Sequence, residues 1–133
     1  MFAFLVLADQ LSKYFAKRIS PNHAFAFSLP LPVGIMYLIY ALVLGGIIYY
    51  TWKNRENFSA PALLAWTLIF TGAICNVLER LVLGYVRDFI YITFSRWTGV
   101  YDLADFYIIL GVLILLFWPK ALGSGKLTDK NDI

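Results

Sequence analysis

Apolar residues run in long blocks along this chain, and polar residues collect in the gaps between them. The clearest block is Val33–Trp52, VGIMYLIYALVLGGIIYYTW, twenty residues without a charge that close on Tyr49, Tyr50 and Trp52. That length and aromatic ending predict a membrane-spanning helix that meets the interface at Trp52. Its Gly45-Gly46 pair predicts close helix packing. Ala60–Leu78 is a second block, opening with Pro61 in the first turn, where proline is tolerated. Asn76, Glu79 and Arg80 mark its polar end, and Asn76 and Arg80, four apart, share a face. Leu103–Leu122 is a third block.

Met1–Ala16, MFAFLVLADQLSKYFA, is a fourth, interrupted by Asp9, Gln10 and Lys13. The residues before Asp9 reach only about 12 Å at helical rise, short of the ~30 Å hydrocarbon core. The basic leader and small-residue cleavage site of a signal peptide are missing. The expectation is therefore a first membrane helix starting close to the N-terminus, with natural residues ahead of Met1 left open. Asp9 and Lys13 stand four apart and are placed to pair, as a mutual ion pair that lets both charges enter the membrane, as part of a site, or as both.

The gaps have their own patterns. Lys17–Pro32 carries Pro21, Pro30 and Pro32 and reads as non-helical, with AFAFS (24–28) alternating as a short strand does. Lys53–Ser59 is a polar turn. Between Gly84 and Tyr101, DFIYITF is rich in β-branched and aromatic residues, SRWTG reads as a turn and VYDL as a return strand, which predicts a small hairpin. The tail, 123–133, is polar and expected to be disordered. The sum is an all-α membrane protein of four transmembrane helices, one domain over 1–122, with a small β-rich cradle at one membrane face.

Composition agrees: of 133 residues, 61% are hydrophobic and 14% charged, with a mean hydropathy of +0.73. Soluble domains carry roughly a quarter charged residues. The eleven Lys and Arg are scattered and the net charge is +3, which gives no basic run suited to nucleic acid. Four crossings would set Lys17, Arg18, Arg80, Arg87 and Arg96 on one side against Lys53, Arg55, Lys120, Lys126 and Lys130 on the other, so charge does not orient the chain. The single cysteine, Cys75, among apolar neighbours, reads as an inert buried thiol.

The stretch from Gly72 to Asp105 holds Glu79, Asp88, Asp102 and Asp105, four of the eight acidic residues, between two apolar blocks. Carboxylates at the edge of hydrocarbon mark a site by default. Antiparallel packing of the last two helices would bring Asp88 and Asp105 together, and two close carboxyls in a poorly solvated place share a proton, one acting as base toward water and the other as acid toward a carbonyl. Structural readings stand beside this: Asp102 and Asp105 fit the N-cap and N3 of a capping box, Asp88 could pair with Arg80 or Arg87, and Glu79 with Arg80 or Lys13. His23 is the only histidine and reads as a loop residue, so no metal and no other cofactor is expected. A relay of acids for an ion or proton carrier is a rival reading, which requires those residues to be spread through the membrane depth.

Four motifs, DQLSK (9–13), NHAFAFS (22–28), GAICNVLER running into GYVRDF (72–89) and DLAD (102–105), carry a resemblance to a known family. From Asp9 to about Trp118 it resembles the bacterial lipoprotein signal peptidases, also called signal peptidase II. The resemblance implies an inner-membrane aspartyl endopeptidase with cytoplasmic termini and its site at the outer face. It would cut a lipid-modified prolipoprotein just before the diacylglyceryl-modified cysteine. The catalytic pair falls on Asp88 and Asp105, and substrate-holding or site-shaping residues fall on Asp9, Lys13, Asn22, Asn76 and Arg80, with Asp102 beside them. Implied partners are the prolipoprotein and membrane lipid, with the enzyme a monomer. The family usually has Asn at 102, Asp at 79 and Gly at 75 and 24. Those departures keep a second possibility in view, an inactive homologue acting as a membrane partner.

Overall fold

A computed structural model of the chain describes residues 1–23 and 30–118. The alternating AFAFS run, the end of the last apolar block and the tail lie outside those residues. In chain order the elements are α1 (Phe2–Phe15), β1 (Ser20–Asn22), α2 (Val33–Asn54), α3 (Ala60–Leu83), β2 (Val86–Asp88), β3 (Ile90–Phe94), β4 (Trp97–Tyr101) and α4 (Leu103–Phe117). Among the described residues, α2 and α3 are long and apolar enough to cross a membrane. α1 has 14 residues and the described part of α4 has 15.

α3 is the spine. It runs past the expected Leu78 because Leu81, Val82 and Leu83 sustain the apolar run, and it stops at Gly84, whose φ of 81° suits only glycine well and whose N–H closes on the Arg80 carbonyl at 2.9 Å. The partner of α3 is α4, and small residues set their approach. A side chain at Gly72 would run into the Ala104 carbonyl oxygen and Ile108, and one at Gly111 into the Ala65 carbonyl oxygen and Ile69. Ala62, Ala65 and Ala104 are fully buried along the same contact. Close backbone approach through small residues is how apolar helices pack without a hydrophobic drive between them. The packing expected of Gly45 and Gly46 is not found among the described residues, where a Cβ added at either position would meet no other element within 4 Å.

Two small antiparallel sheets sit at the end of the bundle where α1 and α3 finish and α4 begins. β1 pairs with β2, Ser20 opposite Asp88 and Asn22 opposite Val86. Pro21, which gives no N–H to a ladder, is tolerated on this short edge strand. The pattern of the sequence missed this pairing, because three-residue strands are too short to show a period. The expected hairpin is present as β3 and β4, but its turn is tighter than SRWTG. Phe94 pairs with Trp97, leaving Ser95 and Arg96 as the loop, with Ser95 at φ 56°.

Candidate active site

Asp102 and Asp105 form the predicted capping box. The Asp105 N–H donates to Asp102 Oδ1 at 2.8 Å and the Asp102 N–H to Asp105 Oδ2 at 3.4 Å. The cap fixes Asp105 in the first turn of α4, where its Oδ1 also accepts from Asn76 Nδ2 of α3 at 2.9 Å. Asp88 reaches the same place from β2. It is 2% exposed, its Oδ2 accepts from Asn22 Nδ2 at 2.9 Å, and its Oδ1 is buried without a hydrogen-bond partner among the described residues. The β1–β2 register explains the Asn22 contact, because Asn22 and Asp88 are diagonal neighbours on one face of that ladder.

One oxygen each from Asp88, Asp102 and Asp105 lies within 4.8 Å of the others. Burial pushes the Asp88 carboxyl up from 3.8 to about 7. The Asn22 hydrogen bond pulls the other way, while the charges of Asp102 and Asp105 add to the rise. A carboxyl that titrates near neutrality beside a second one can hold or release a proton at working pH. Three carboxylates could in principle ligate a hard cation. Here Asp102 is a poor third ligand, because Oδ1 is taken by the Asp105 N–H and Oδ2 sits 2.7 Å from Lys13 Nζ.

Below these carboxylates lies a second, closed layer of charge. Lys13 is 1% exposed and its ammonium contacts Asp9 Oδ2 at 2.9 Å, Glu79 Oε2 at 3.1 Å and Asp102 Oδ2 at 2.7 Å. Asp9, fully buried, also accepts from the Ala104 N–H through Oδ1 at 3.2 Å. Of the pairings left open for Glu79, the one with Lys13 is present, and a further partner is Arg87. The Arg87 guanidinium is held by Glu79 and by Gln10 Oε1, the latter at 2.7 Å. The predicted i, i+4 pair of Asp9 and Lys13 is therefore one edge of a larger network. Arg80, also on α3, is 5% exposed, with its guanidinium 5.6 Å from the centre of the Tyr40 ring; Tyr37 donates to the Arg80 carbonyl at 3.0 Å.

Sequence reasoning singled out neither Gln10 nor Arg87 as site residues, nor Tyr37 and Tyr40. The strand through Val86–Asp88, too short to show in the sequence, sends Arg87 to the face opposite Asp88, back toward the bundle. Cys75 is buried, as its apolar neighbours predict, and His23 is an exposed residue beside Tyr85. A cavity of about 510 Å³ opens at the other end of the bundle, lined by Phe2, Ile47, Trp52, Phe58 and Trp66 among others. It is apolar and distant from every carboxylate described above.

The comparisons with known proteins converge. The sequence profile of signal peptidase (SPase) II matches residues 1–119. A lipoprotein signal peptidase of Caldanaerobacter subterraneus is 32% identical over 85% of this chain and 88% of its own length. Another, of Streptococcus thermophilus, is 34% identical over 77% of this chain and 68% of its own. A bacterial membrane enzyme solved by the in meso method at 2.3 Å resolution shares the fold, with a TM-score of 0.74 at 22% identity over 87% of this chain and 82% of that one. With a profile that spans nearly the whole chain and relatives above 30% identity on either side of the fold comparison, the chain belongs to the signal peptidase II family.

Proposed function

We propose that this protein removes the signal peptide from prolipoproteins by aspartyl chemistry, cutting just before the diacylglyceryl-modified cysteine, with Asp88 and Asp105 as the catalytic pair. The observation that carries this reading is the convergence of two carboxyls from different elements on one buried place, within 4.8 Å, one with a buried oxygen that has no partner among the described residues and a proton affinity raised to near neutrality. The spacing leaves room for a water between them. One carboxylate takes a proton from that water as its oxygen bonds to the scissile carbonyl carbon, and the protonated partner donates to the carbonyl oxygen. In the collapse the newly protonated carboxyl gives its proton to the leaving amine as the C–N bond breaks, and the other carboxylate takes a proton from a hydroxyl of the gem-diol, so the pair ends with one proton as it began.

The remaining residues divide by what they touch. Asn22, half-buried on β1 and bonded to Asp88, and the buried Arg80 are read as holding the substrate backbone, and Asn76, bonded to Asp105, as orienting it. Asp9, Lys13 and Asp102 are buried at 0–1% and shape the site from beneath. Asp9, Glu79, Asp88, Asp102 and Asp105 all lie at one end of the bundle, which favours a localised reaction over a relay running through the membrane. On this reading α1 and α4 complete four crossings, the two small sheets form the cradle at the outer face, and the enzyme resides in the inner membrane.

The test is cleavage of a lipidated prolipoprotein by the purified protein in lipid or detergent, beside Asp88→Asn and Asp105→Asn. The parent should cut before the lipid-bearing cysteine, and each folded variant should lose at least ~10³-fold, within the range for removing a positioned acid or base. A variant that folds and still cuts at the parent rate removes that aspartate from the mechanism. A folded parent that never cuts points to the inactive homologue, and Asp102→Asn then asks whether the extra carboxylate is the cause.

A further inference from the structure

Asp88 sits on a three-residue strand, and among the described residues its side chain has a single hydrogen bond, to Asn22. Such an element does not fix a carboxyl by itself. What holds it is the residue before it. Glu79 grips Arg87 at two levels: Oε2 accepts from the Arg87 backbone N–H at 3.0 Å, and Oε1 accepts from the guanidinium through Nε at 2.9 Å and again through Nη2. Gln10 of α1 accepts from the same Nη2 at 2.7 Å. The fork of an arginine allows this planar grip and a lysine ammonium does not.

From Glu79 the contacts continue without a break. Glu79 Oε2 meets Lys13, Lys13 meets Asp102 and Asp9, Asp102 Oδ1 caps the Asp105 N–H, and Asp9 Oδ1 holds the Ala104 N–H. An alternating chain of charge thus runs from the strand that carries Asp88 to the helical turn that carries Asp105. Two cations, Lys13 and Arg87, stand among three anions, Asp9, Glu79 and Asp102. Nearly all of it is buried, where removing one member leaves its neighbours uncompensated.

Resting on the aspartyl reading above, we propose that Arg87 is a positioning residue for the peptidase. Through Glu79 and Lys13 it ties the strand of Asp88 to the first turn of α4, and so sets the distance between the two carboxyls across the attacking water.

The test compares the parent with Arg87→Lys, Arg87→Met and the milder Gln10→Leu, each checked for folding by thermal melting. Expected is a ten- to hundredfold loss in kcat for Arg87→Lys, the scale of an ångström of misplacement, with KM near the parent value because the Arg87 guanidinium is engaged by Glu79 and Gln10. The two limbs of the pH–rate profile should also change their separation, since the coupling of two carboxyls depends on the distance between them. Gln10→Leu should move kcat and profile in the same direction by less. Arg87 variants that melt early while keeping the parent kcat and pH profile per folded molecule overturn the positioning role and leave Arg87 a structural residue. That outcome leaves the aspartyl reading intact, provided Asp88→Asn and Asp105→Asn are silent in the same assay. A silent parent overturns both.

Discussion

α2 and α3 are nearly the same length, 22 and 24 residues, and both are apolar enough to cross a membrane, yet 6% of the α2 apolar window is buried against 44% for α3. The difference lies in what interrupts the large apolar residues. On α3 most of the interruptions are buried: Ala62, Ala65, Thr71, Gly72, Asn76, Glu79 and Arg80. The small ones admit α4, and the polar ones meet the carboxylates at the far end. On α2 only Met36 is buried, and the helix reaches the site through two tyrosines, Tyr37 and Tyr40, beside Arg80. Hydropathy measures whether a helix tolerates lipid; the placement of small and polar residues decides what it packs against.

The comparison breaks most sharply at Gly72. Gly72→Leu drives a side chain into the Ala104 backbone and Ile108, and a backbone carbonyl does not move aside as a flexible side chain does. Overpacking of this kind costs roughly 1–3 kcal/mol, with backbone clashes at the upper end. Ala104 stands next to Asp105, so the displacement also moves the carboxyl. Expected are a much lower melting temperature in detergent and loss of prolipoprotein cleavage, both in the same preparation. A variant that melts and cuts like the parent refutes the claim that α3 and α4 meet through Gly72.

Much of this was legible from the chain. The α2 and α3 spans, the hairpin and the DLAD cap each rest on a local signal: an uncharged block, a β-branched run, a carboxylate three residues from another. The pairing of Ser20–Asn22 with Val86–Asp88 was not legible, because it joins residues far apart in sequence through strands too short to carry a pattern. For the same reason the Gln10–Arg87–Glu79 cluster was missed, while Asp9 and Lys13, four apart on one helix, were visible at once. The departure at Glu79 also gains a physical account: it contacts Lys13 with one oxygen and grips Arg87 with both.

Within the charged end, Asp102 offers the next largest effect. Its charge is one cause of the raised Asp88 proton affinity. Asp102→Asn keeps an oxygen for the cap and removes the negative charge, so Asp88 should release its proton at lower pH, and on the proposed aspartyl chemistry the pH–rate profile should report it. The alkaline limb of the pH–rate profile is expected to move down from near 7, with the peptidase still folded; an unmoved limb excludes Asp102 as a source of the shift. Stability follows a related sign. Folded Asp88 keeps its proton up to about 7, whereas an unfolded aspartate releases it near 3.8. Its contribution is therefore full below about pH 4 and is lost as the pH rises to about 7. Asp88→Asn should flatten that decline, read as melting temperature against pH.

The smallest effect is expected on α2, and it is the counterpart of the first. A Cβ added at Gly45 meets nothing within 4 Å among the described residues, so Gly45→Leu starts into open space and replaces a flexible helix-interior residue with a good helix former. The propensity gain is on the order of 1 kcal/mol in a soluble helix; in a lipid-facing one the change should lie between that and zero, with cleavage unchanged. Identical leucines placed on two apolar helices of one chain would then give opposite results, one abolishing the enzyme and one leaving it alone. Loss of cleavage in Gly45→Leu would mean that the open face of α2 is covered when substrate binds, which assigns that face to the incoming signal peptide rather than to lipid.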